Sequence, residues 1–405
     1  MLTVDEALAA ILSHVESGGT THVPLASALG RVLREEIVAD ADSPPFDKAL
    51  MDGFAVRAAD LAGGSVRLSQ IEEVTAGRVP IQAVQPGQAT RIMTGAPLPD
   101  GADAVVPIEV VEVIKEGSAI YAQINAPQFN SGRNILRRGQ STRAGESVLK
   151  AGRLLRAQEL GCLAELGRTN VAVEVAPRVG VLATGDELVP VDYAPGSGQI
   201  RNSNETMLVA QVRQAGATPV PLGIARDEIG HLKEKIAAGL ELDVLLLSGG
   251  VSAGNLDLVP GALQDLGVEQ VFHKVRVKPG QPLWFGVHRR KGGATLVFGL
   301  PGNPVGSMVC CELFVRPVLN LMRGLADITP KSTFARLSEP FTHVGSRPTY
   351  HPAQLSFTPE GPQCQLVPWV GSADLSATVE ANCMAVFPAG DAVHAAGEML
   401  QVIPW

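Results

Sequence analysis

The sequence predicts an α/β multidomain chain with a central open parallel α/β sheet domain, flanking small β domains and a C-terminal β-barrel. Strand-like and helix-like segments alternate between residue 175 and about residue 325, which is the pattern of an open parallel sheet. Residues 45 to about 140, and those after 328, instead carry short alternating apolar runs between Gly and Pro, which is typical of β domains. For the C-terminal segment, a sandwich is the alternative to a barrel.

The predicted domains follow these changes of pattern. We expect a helical linking domain at 1–44 plus 140–172, a β domain at 45–139, an α/β domain at 173–327 and a C-terminal β domain at 328–405. Apolar residues at helical spacing predict helices near 2–15, 25–33 and 156–167. The first of these should end at Gly18-Gly19.

Composition excludes several classes of protein. The net charge of −8 and the aromatic content of 4% argue against a nucleic-acid binder. Five scattered cysteines with no C-x-x-C pair predict neither a disulfide framework nor a zinc site, and they suit a reducing cytoplasm. Asp5 and Glu6 are atypical of a signal peptide. No apolar run approaches the roughly 20 residues of a membrane span, so we expect a cytoplasmic protein without a membrane partner.

The central domain is the part in which a site is expected. Its predicted strands lie within 178–188, 218–228, 243–248 and 294–300, and its helices at 204–216, 229–240 and 304–322. Four successive apolar residues at 244–247 predict a strand buried on both faces. Ligands of such sheets bind at the carboxyl ends of the strands.

Residues 248–257 leave the buried strand as Ser-Gly-Gly-Val-Ser-Ala-Gly-Asn-Leu-Asp. Glycine is favoured where the chain turns tightly or where a ligand approaches the backbone. An ordinary turn is the alternative. The candidate contacts here are Ser248, Gly249, Gly250, Ser252 and Asp257.

Acidic residues follow three of the predicted strands. Asp186 and Glu187, Asp227 and Glu228, and Asp257 stand at strand ends that should meet at one edge of the sheet. A single acid at such a place is often a helix cap. Converging acids are better explained by a divalent cation such as Mg²⁺.

Basic residues and a proline-rich turn lie nearby in the chain. In a strand, Lys274, Arg276 and Lys278 would share one face, and a charged edge strand is the alternative. Pro304, in the turn 299–304, is suited to the first position of a helix whose amides can receive an anion. Together these groups predict a site for magnesium and a phosphorylated anion.

With the loops at 51–56 (MDGFAV) and 93–96 (MTGA), these motifs make the chain resemble the MoeA-type molybdopterin molybdenumtransferases, the family that includes the E domain of gephyrin. The resemblance covers nearly the whole chain. It implies a molybdopterin-binding central domain and Mg²⁺-dependent insertion of molybdate into adenylylated molybdopterin, with release of AMP. It also implies a homodimer. Other cofactor-biosynthesis proteins and apo-molybdoenzymes are further candidate partners.

The resemblance also assigns roles to residues by motif. It implies catalytic roles for Asp52, Thr94, Glu187, Asp227 and Asp257, of which Glu187, Asp227 and Asp257 would hold the metal. It implies substrate binding by Ser248, Gly249, Gly250, Ser252, Lys274, Lys278, Pro301, Asn303 and Ser372.

At several positions the chain departs from the residues usual in this family, notably at Lys48, Gln140, Ser141 and Gln281. These departures keep open a second hypothesis, in which the chain is a catalytically weakened scaffold that binds pterin or nucleotide. A hydrolase that cleaves or binds nucleotides is a third. The resemblance does not distinguish molybdate from tungstate.

Overall fold

The structure is a computed structural model that describes residues 1–125, 129–250 and 258–405. The chain forms two compact units. The first comprises Met1–Arg34, Ala151–Ala157 and Asn170–Trp405, and the second comprises Glu35–Lys150 and Gln158–Thr169. The finer division into four domains remains a prediction.

The first unit is built around a six-stranded sheet, as far as the described residues show. Its strands are β1 (Arg178–Thr184), β2 (Thr218–Ala225), β3 (Val244–Ser248), β4 (Val268–His273), β5 (Trp284–Arg290) and β6 (Gly293–Leu300), in the spatial order β2-β1-β3-β6-β5-β4. The pairs β2-β1, β1-β3 and β3-β6 are parallel, whereas β5 is antiparallel to both β6 and β4. The predicted parallel sheet is therefore mixed at one edge. Because β5 alone is reversed, β4 ends at the same edge as the parallel strands.

Apolar side chains cover both faces of this sheet. On one face, Leu246 and Phe298 lie in a core cluster with Phe314, and on the other Leu247 lies in a cluster with Leu232. All five residues of β3 are buried, as the run of apolar residues predicts for a central strand. Burial on both faces holds this strand, and the loop that follows it, in the middle of the sheet.

Helices pack on both faces of the sheet. Those of the first unit are Val4–Leu12, Ser203–Gln214, Ile229–Leu240, Val259–Asp265, Pro304–Cys310 and Arg316–Arg323, with a π-helical segment Cys311–Val315 between the last two and 3₁₀ turns at Leu25–Ser27 and Ser376–Val379. Short strand pairs are formed by Thr20–Pro24 with Asn170–Glu174 and by Leu188–Val189 with Ile200–Arg201.

One helical stretch corrects the expectation that no apolar run approaches the length of a membrane span. Pro304–Arg323 has 20 residues and contains an 18-residue window with a mean hydropathy of 1.4, which satisfies the length and composition of a span. However, 83% of its apolar window is buried inside the protein. Its hydropathy is therefore that of a core helix packed against the sheet.

The C-terminal segment forms a closed barrel, which confirms the prediction over the sandwich alternative. Its strands are Thr333–Leu337, Gly361–Leu366, Thr349–Thr358, Cys383–Phe387 and Met399–Pro404, given in their order around the barrel. A separate pair is formed by Phe341–His343 and Ala392–His394. Ala353, Cys364 and Phe387 are fully buried in the barrel core.

The second unit contains the predicted β domain. Its main sheet has the spatial order Ala104–Pro107, Gly53–Val56, Gln88–Ile92, Ser65–Val74, Ala119–Asn125 and Val111–Glu116. Two short pairs join Lys48–Ala49 to Ile135–Leu136 and Ile37–Val38 to Ser147–Leu149. The unit also holds helix Ala157–Glu165 and 3₁₀ turns at Ala58–Leu61 and Ile108–Val110.

Two helix predictions near the N-terminus were wrong in extent. The first helix ends at Leu12 rather than at Gly18-Gly19. The helix predicted near 25–33 is only the 3₁₀ turn Leu25–Ser27. Beyond this turn the backbone bonds to other segments, since Leu33 N donates to Arg153 O at 2.9 Å and Arg34 N donates to Ala172 O at 2.9 Å. Apolar spacing alone did not reveal these long-range partners.

A buried ion cluster joins distant parts of the first unit. Glu174, whose side chain is fully buried, forms ion pairs with Arg323 at 3.1 Å and Arg31 at 3.4 Å. Its other carboxylate oxygen accepts a hydrogen bond from Val32 N at 2.5 Å. Arg323 also donates to Ala215 O at 2.8 Å. The cluster therefore ties the N-terminal segment to the last helix and to the turn before β2.

We expect Glu174→Gln to lower the free energy of unfolding of the first unit by about 3 kcal/mol or more, because two arginines lose a buried counter-charge. Asp265→Asn is the control, since it breaks the exposed 2.7 Å pair with Lys233, and such pairs contribute little. Urea unfolding followed by tryptophan fluorescence reports on this unit, because Trp284, Trp369 and Trp405 all belong to it. Equal midpoints for the two variants would contradict the expectation.

Candidate functional site

The candidate site lies at the carboxyl edge of the central sheet. Ser248, the last residue of β3, is level with Ala183 of β1 and with Leu300 of β6. The amide of Gly249 donates to Leu300 O at 3.2 Å. The loops that follow β1, β3 and β6 therefore begin side by side, as expected for ligand-binding loops of an open sheet.

The two glycines after β3 fit where a larger residue would not. Gly249 and Gly250 have φ angles of +96° and +66°, which favour glycine. A Cβ atom on Gly249 would lie 2.7 Å from Thr184 O, and one on Gly250 would lie 2.8 Å from Thr184 Oγ1. These two predicted residues thus pack closely against the end of β1. Ser252 and Asp257 lie outside the described residues.

Asn204 links the loops after β3 and β6, and sequence reasoning missed this role. Its Nδ2 donates to Ser248 Oγ at 2.6 Å and to Gly302 O at 2.8 Å. In the sequence, Asn204 is only the first residue of the predicted helix 204–216. In the structure the helix is capped by Asn202, whose side chain accepts from Glu205 N. The signal available in the sequence was a polar residue in the first turn of a helix of the α/β domain.

The structure brings the ends of β1 and β2 together, with their acids. Asp186 Oδ1 accepts a hydrogen bond from Asp227 N at 3.2 Å. Arg226 donates to the carbonyls of Asp186 at 3.1 Å and Leu188 at 3.0 Å. Asp186, Glu187 and Asp227 are all exposed. Carboxylate oxygens of this kind suit Mg²⁺.

No group of three or more His, Cys, Asp or Glu side chains that could hold a metal ion occurs within the described residues. Two of the three predicted metal ligands, Glu187 and Asp227, follow the neighbouring strands β1 and β2. The third, Asp257, falls in the segment that the structure does not describe. The donor chemistry fits Mg²⁺, and the ligand set remains a prediction.

The basic segment after β4 corrects the predicted strand. β4 ends at His273, and Lys274 has a φ of +73°, which turns the chain away from an extended path. Buried and exposed side chains nevertheless alternate here as predicted, since Val275 and Val277 are fully buried while Arg276 and Lys278 are exposed. β4 runs in the same direction as the parallel strands of the sheet. Lys274, which follows β4, therefore lies at the same edge of the sheet as the loops that follow those strands.

A cavity of about 680 Å³ lies between the loops of the sheet domain and the C-terminal barrel. Four of the predicted substrate-binding residues line it: Lys278, Pro301, Asn303 and Ser372. Asn303 Nδ2 donates to Ser372 Oγ at 2.8 Å, and Val305 N donates to Ser372 O at 3.1 Å. Residues far apart in the sequence therefore form one lined space.

The cavity also contains Arg347. Its Nη1 donates to Gln281 Oε1 at 2.6 Å and to Val277 O at 3.3 Å. Gln281, one of the departures from the usual family residues, thus orients an arginine.

His351 and Trp369 line the same cavity and were not singled out from the sequence. Burial, with a smaller effect from the charge of Lys278, lowers the pKa of His351, so this ring is neutral near pH 7. Trp369 Nε1 is a buried donor with no hydrogen-bond partner among the described residues. The cavity therefore offers donors and cations, a combination that suits an anion.

Asp52 and Thr94 meet in the second unit. Asp52 Oδ1 accepts from Thr94 N at 2.7 Å and from Thr94 Oγ1 at 2.6 Å. These two hydrogen bonds, with a smaller contribution from Arg91, hold the pKa of Asp52 below its ordinary value. Both residues are exposed, and the Asp52 carboxylate stays ionised at neutral pH. Its catalytic role remains a prediction.

Gln140 and Ser141 lie in an exposed turn of the second unit. Gln140 Oε1 accepts from Arg137 N at 3.0 Å, and Ser141 N donates to Ser43 O at 3.0 Å. Both residues therefore have structural partners. The geometry favours a polar turn at these positions.

Three family models match the chain in sequence order. They describe the MoeA N-terminal region (domains I and II) over residues 2–167, a probable molybdopterin-binding domain over 180–321 and the MoeA C-terminal region (domain IV) over 335–405. The chain belongs to the MoeA family. The resemblance inferred from the motifs is thus confirmed.

Relatives within the MoeA family match almost the full length. A Bacillus subtilis (strain 168) protein named molybdopterin molybdenumtransferase is 34% identical over 416 residues, covering 99% of this chain and 94% of the relative. A Staphylococcus aureus (strain Mu50 / ATCC 700699) protein of the same name is 32% identical over 407 residues, covering 99% and 95%. The molybdopterin biosynthesis moeA protein of Pyrococcus horikoshii OT3 has a similar structure, with a TM-score of 0.84, 30% identity and full coverage of both chains. The multidomain fold is therefore that of this family.

We expect Thr94→Val to raise the pKa of Asp52 toward its ordinary value, because the hydroxyl donor is lost while the backbone donor remains. The carboxylate would then become protonated at a higher pH as the solution is acidified. A carbon-detected NMR titration of the Asp carboxyl resonances measures this shift. Asp47, which accepts from Arg137 and Arg138, is the internal reference. An unchanged Asp52 titration would show that the hydroxyl has no influence.

Proposed function

We propose that this chain is a molybdopterin molybdenumtransferase that inserts molybdate into adenylylated molybdopterin and releases AMP. The proposal is supported by membership of the MoeA family and by one observation in particular. The 680 Å³ cavity, with its cations and donors, opens beside the loops at the carboxyl edge of the sheet. A phosphorylated pterin and an oxyanion would thus bind next to each other, and proximity is a large part of catalysis by such sites.

Molybdate would bind in the cavity. Lys278 and Arg347 supply positive charge, and Arg347 is oriented by Gln281 and Val277 O. Because Ser372 Oγ accepts from Asn303, its own hydroxyl hydrogen is available for an oxyanion oxygen. Charge-assisted hydrogen bonds of this kind are the strong ones in anion recognition. Neutral His351 contributes no charge there.

The adenylylated pterin would bind along the sheet edge. Ser248, Gly249 and Gly250 present a hydroxyl and closely packed backbone to it, and Lys274 offsets its negative charge. Glu187, Asp227 and Asp257 would hold Mg²⁺, which when bound supplies polarisation of the phosphoanhydride. The exposed Asp52–Thr94 pair is a further proposed part of the catalytic machinery.

We further propose that the enzyme is a cytoplasmic homodimer. The described cysteines are all free thiols, which suits a reducing compartment. The homodimer and any contacts with other cofactor-biosynthesis proteins or apo-molybdoenzymes rest on the resemblance alone.

In the direct test, the purified protein is incubated with adenylylated molybdopterin, Mg²⁺ and molybdate, and the release of AMP is measured. AMP should appear only when molybdate is present, together with a product that activates an apo-molybdoenzyme. Asp227→Asn should lower kcat/KM about 10- to 100-fold, the effect of losing a charge-assisted contact, whereas the exposed Asp265→Asn should not. Binding of the pterin without AMP release by the wild type would favour the scaffold hypothesis.

A second prediction tests whether the cavity binds molybdate. Arg347→Gln and Ser372→Ala should each raise the KM for molybdate about tenfold or more, with a smaller change in the KM for the pterin, because these side chains are assigned to the oxyanion. Arg336→Gln is the control, since Arg336 is exposed on a barrel strand and contacts Gly397 O. Initial rates at varied molybdate and fixed pterin, and the converse series, give the two constants. Equal effects on both constants would remove these residues from the oxyanion subsite.

A further inference from the structure

Asn204 is placed to control the loops of the site without itself being assigned to substrate. It lies in the first turn of helix Ser203–Gln214 and uses both hydrogens of its amide, one on Ser248 Oγ and one on Gly302 O. Because a backbone carbonyl only accepts hydrogen bonds, the amide nitrogen must face Gly302 O. The orientation of the side chain is therefore fixed by its partners.

This orientation decides what Ser248 can do. Ser248 Oγ accepts from Asn204 at 2.6 Å, so its single hydroxyl hydrogen is directed elsewhere. Ser248 is 2% exposed, and it stands at the end of β3 directly before the two glycines. A hydroxyl held in this way is a donor suited to a phosphate oxygen.

The surroundings also indicate a polar ligand. Asn204 Oδ1 and Thr184 Oγ1 are buried and have no hydrogen-bond partner among the described residues. Thr184 Oγ1 lies against Gly249 and Gly250. Unpaired buried polar atoms destabilise a folded protein and are uncommon without a reason. Here they cluster at the strand ends where ligands of this kind of sheet bind.

We propose that Asn204 is a positioning residue for the reaction: it makes the Ser248 hydroxyl a donor toward the phosphate oxygens of the substrate and holds the loop after β6 beside it. This inference rests on the proposed function and deepens it. Reversing the polarity of the hydrogen bond between Asn204 and Ser248 should therefore slow the reaction.

Asn204→Asp reverses the polarity with almost no change of shape. Above its pKa the new carboxylate cannot donate, so it repels Gly302 O and draws the Ser248 hydrogen toward itself. Below its pKa the carboxyl has one O–H and donates again. Residue 204 is half-buried and faces Gly302 O, and both conditions raise the pKa of the new carboxyl above the ordinary Asp value of about 4. We expect kcat/KM for AMP release to fall about tenfold or more at pH 8. The ratio to wild type should recover in part as the pH is lowered to 5.5, because one O–H then replaces the two N–H donors of Asn204. Asn204→Ala should show a deficit that does not depend on pH.

Two controls separate this role from a general structural one. Ser203→Asp places the same charge on the neighbouring exposed residue of the same helix turn, and it should leave kcat/KM within about twofold of wild type. Asn204→Ala combined with Ser248→Ala should be no worse than the worse single variant, because residues that act through one another are not additive. A pH-independent deficit for Asn204→Asp, or multiplied deficits in the double variant, would overturn the proposal.

A binding measurement keeps this inference apart from the proposed function. If the wild type releases no AMP, the proposed function fails, and AMP binding measured by calorimetry becomes the test of Asn204. Asn204→Asp should then weaken AMP binding at pH 8 about tenfold and regain part of it at pH 5.5, while Ser203→Asp binds as the wild type does. Unchanged AMP affinity in Asn204→Asp would overturn the inference.

Discussion

The alignment of β1, β3 and β6 at Ser248 is the constraint on which the site depends. Ser248 is level with Ala183 on one side and with Leu300 on the other, so three loops start from one place. This alignment is a result of burial, because β3 is covered on both faces and cannot slip without exposing its leucines. The close fit of Gly249 against Thr184 and the two bonds of Asn204 are possible only in this register.

Charge is distributed in order along the same edge. Asp227 and Glu187 follow β2 and β1, Ser248 ends β3, and the loop after β6 leads to the cavity that contains Lys278. Strands in a sheet are about 4.8 Å apart, so the ends of β2 and β6 are separated by roughly 14 Å. An extended substrate with a phosphoanhydride can therefore contact acids that suit a cation at one end and basic groups at the other.

The sequence was sufficient for the parts of the structure that local pattern determines. The apolar run at 244–247 predicted a buried strand, and the residues after it predicted the site edge. It did not predict that β5, which lies between β6 and β4, is reversed, since the local apolar pattern of a buried strand does not depend on its direction. It also overextended the helix near 25–33, where backbone bonds to Arg153 and Ala172 determine the path. Asn204 escaped notice because its role depends on two loops, one about 45 and the other about 100 residues away.

The order of segments in the chain has a consequence for synthesis on the ribosome. Thr20–Pro24 pairs with Asn170–Glu174, whereas nearly all of the chain between them belongs to the second unit. At a translation rate of about 5–20 residues per second, the first strand waits roughly 7–30 s for its partner. Residues 35–150, which make up most of the second unit, are synthesised before that partner, so they can begin to fold during the interval. A nascent chain should therefore carry a partly folded insert while its first strand still lacks a partner, and this unpaired strand is the segment most exposed to wrong pairing.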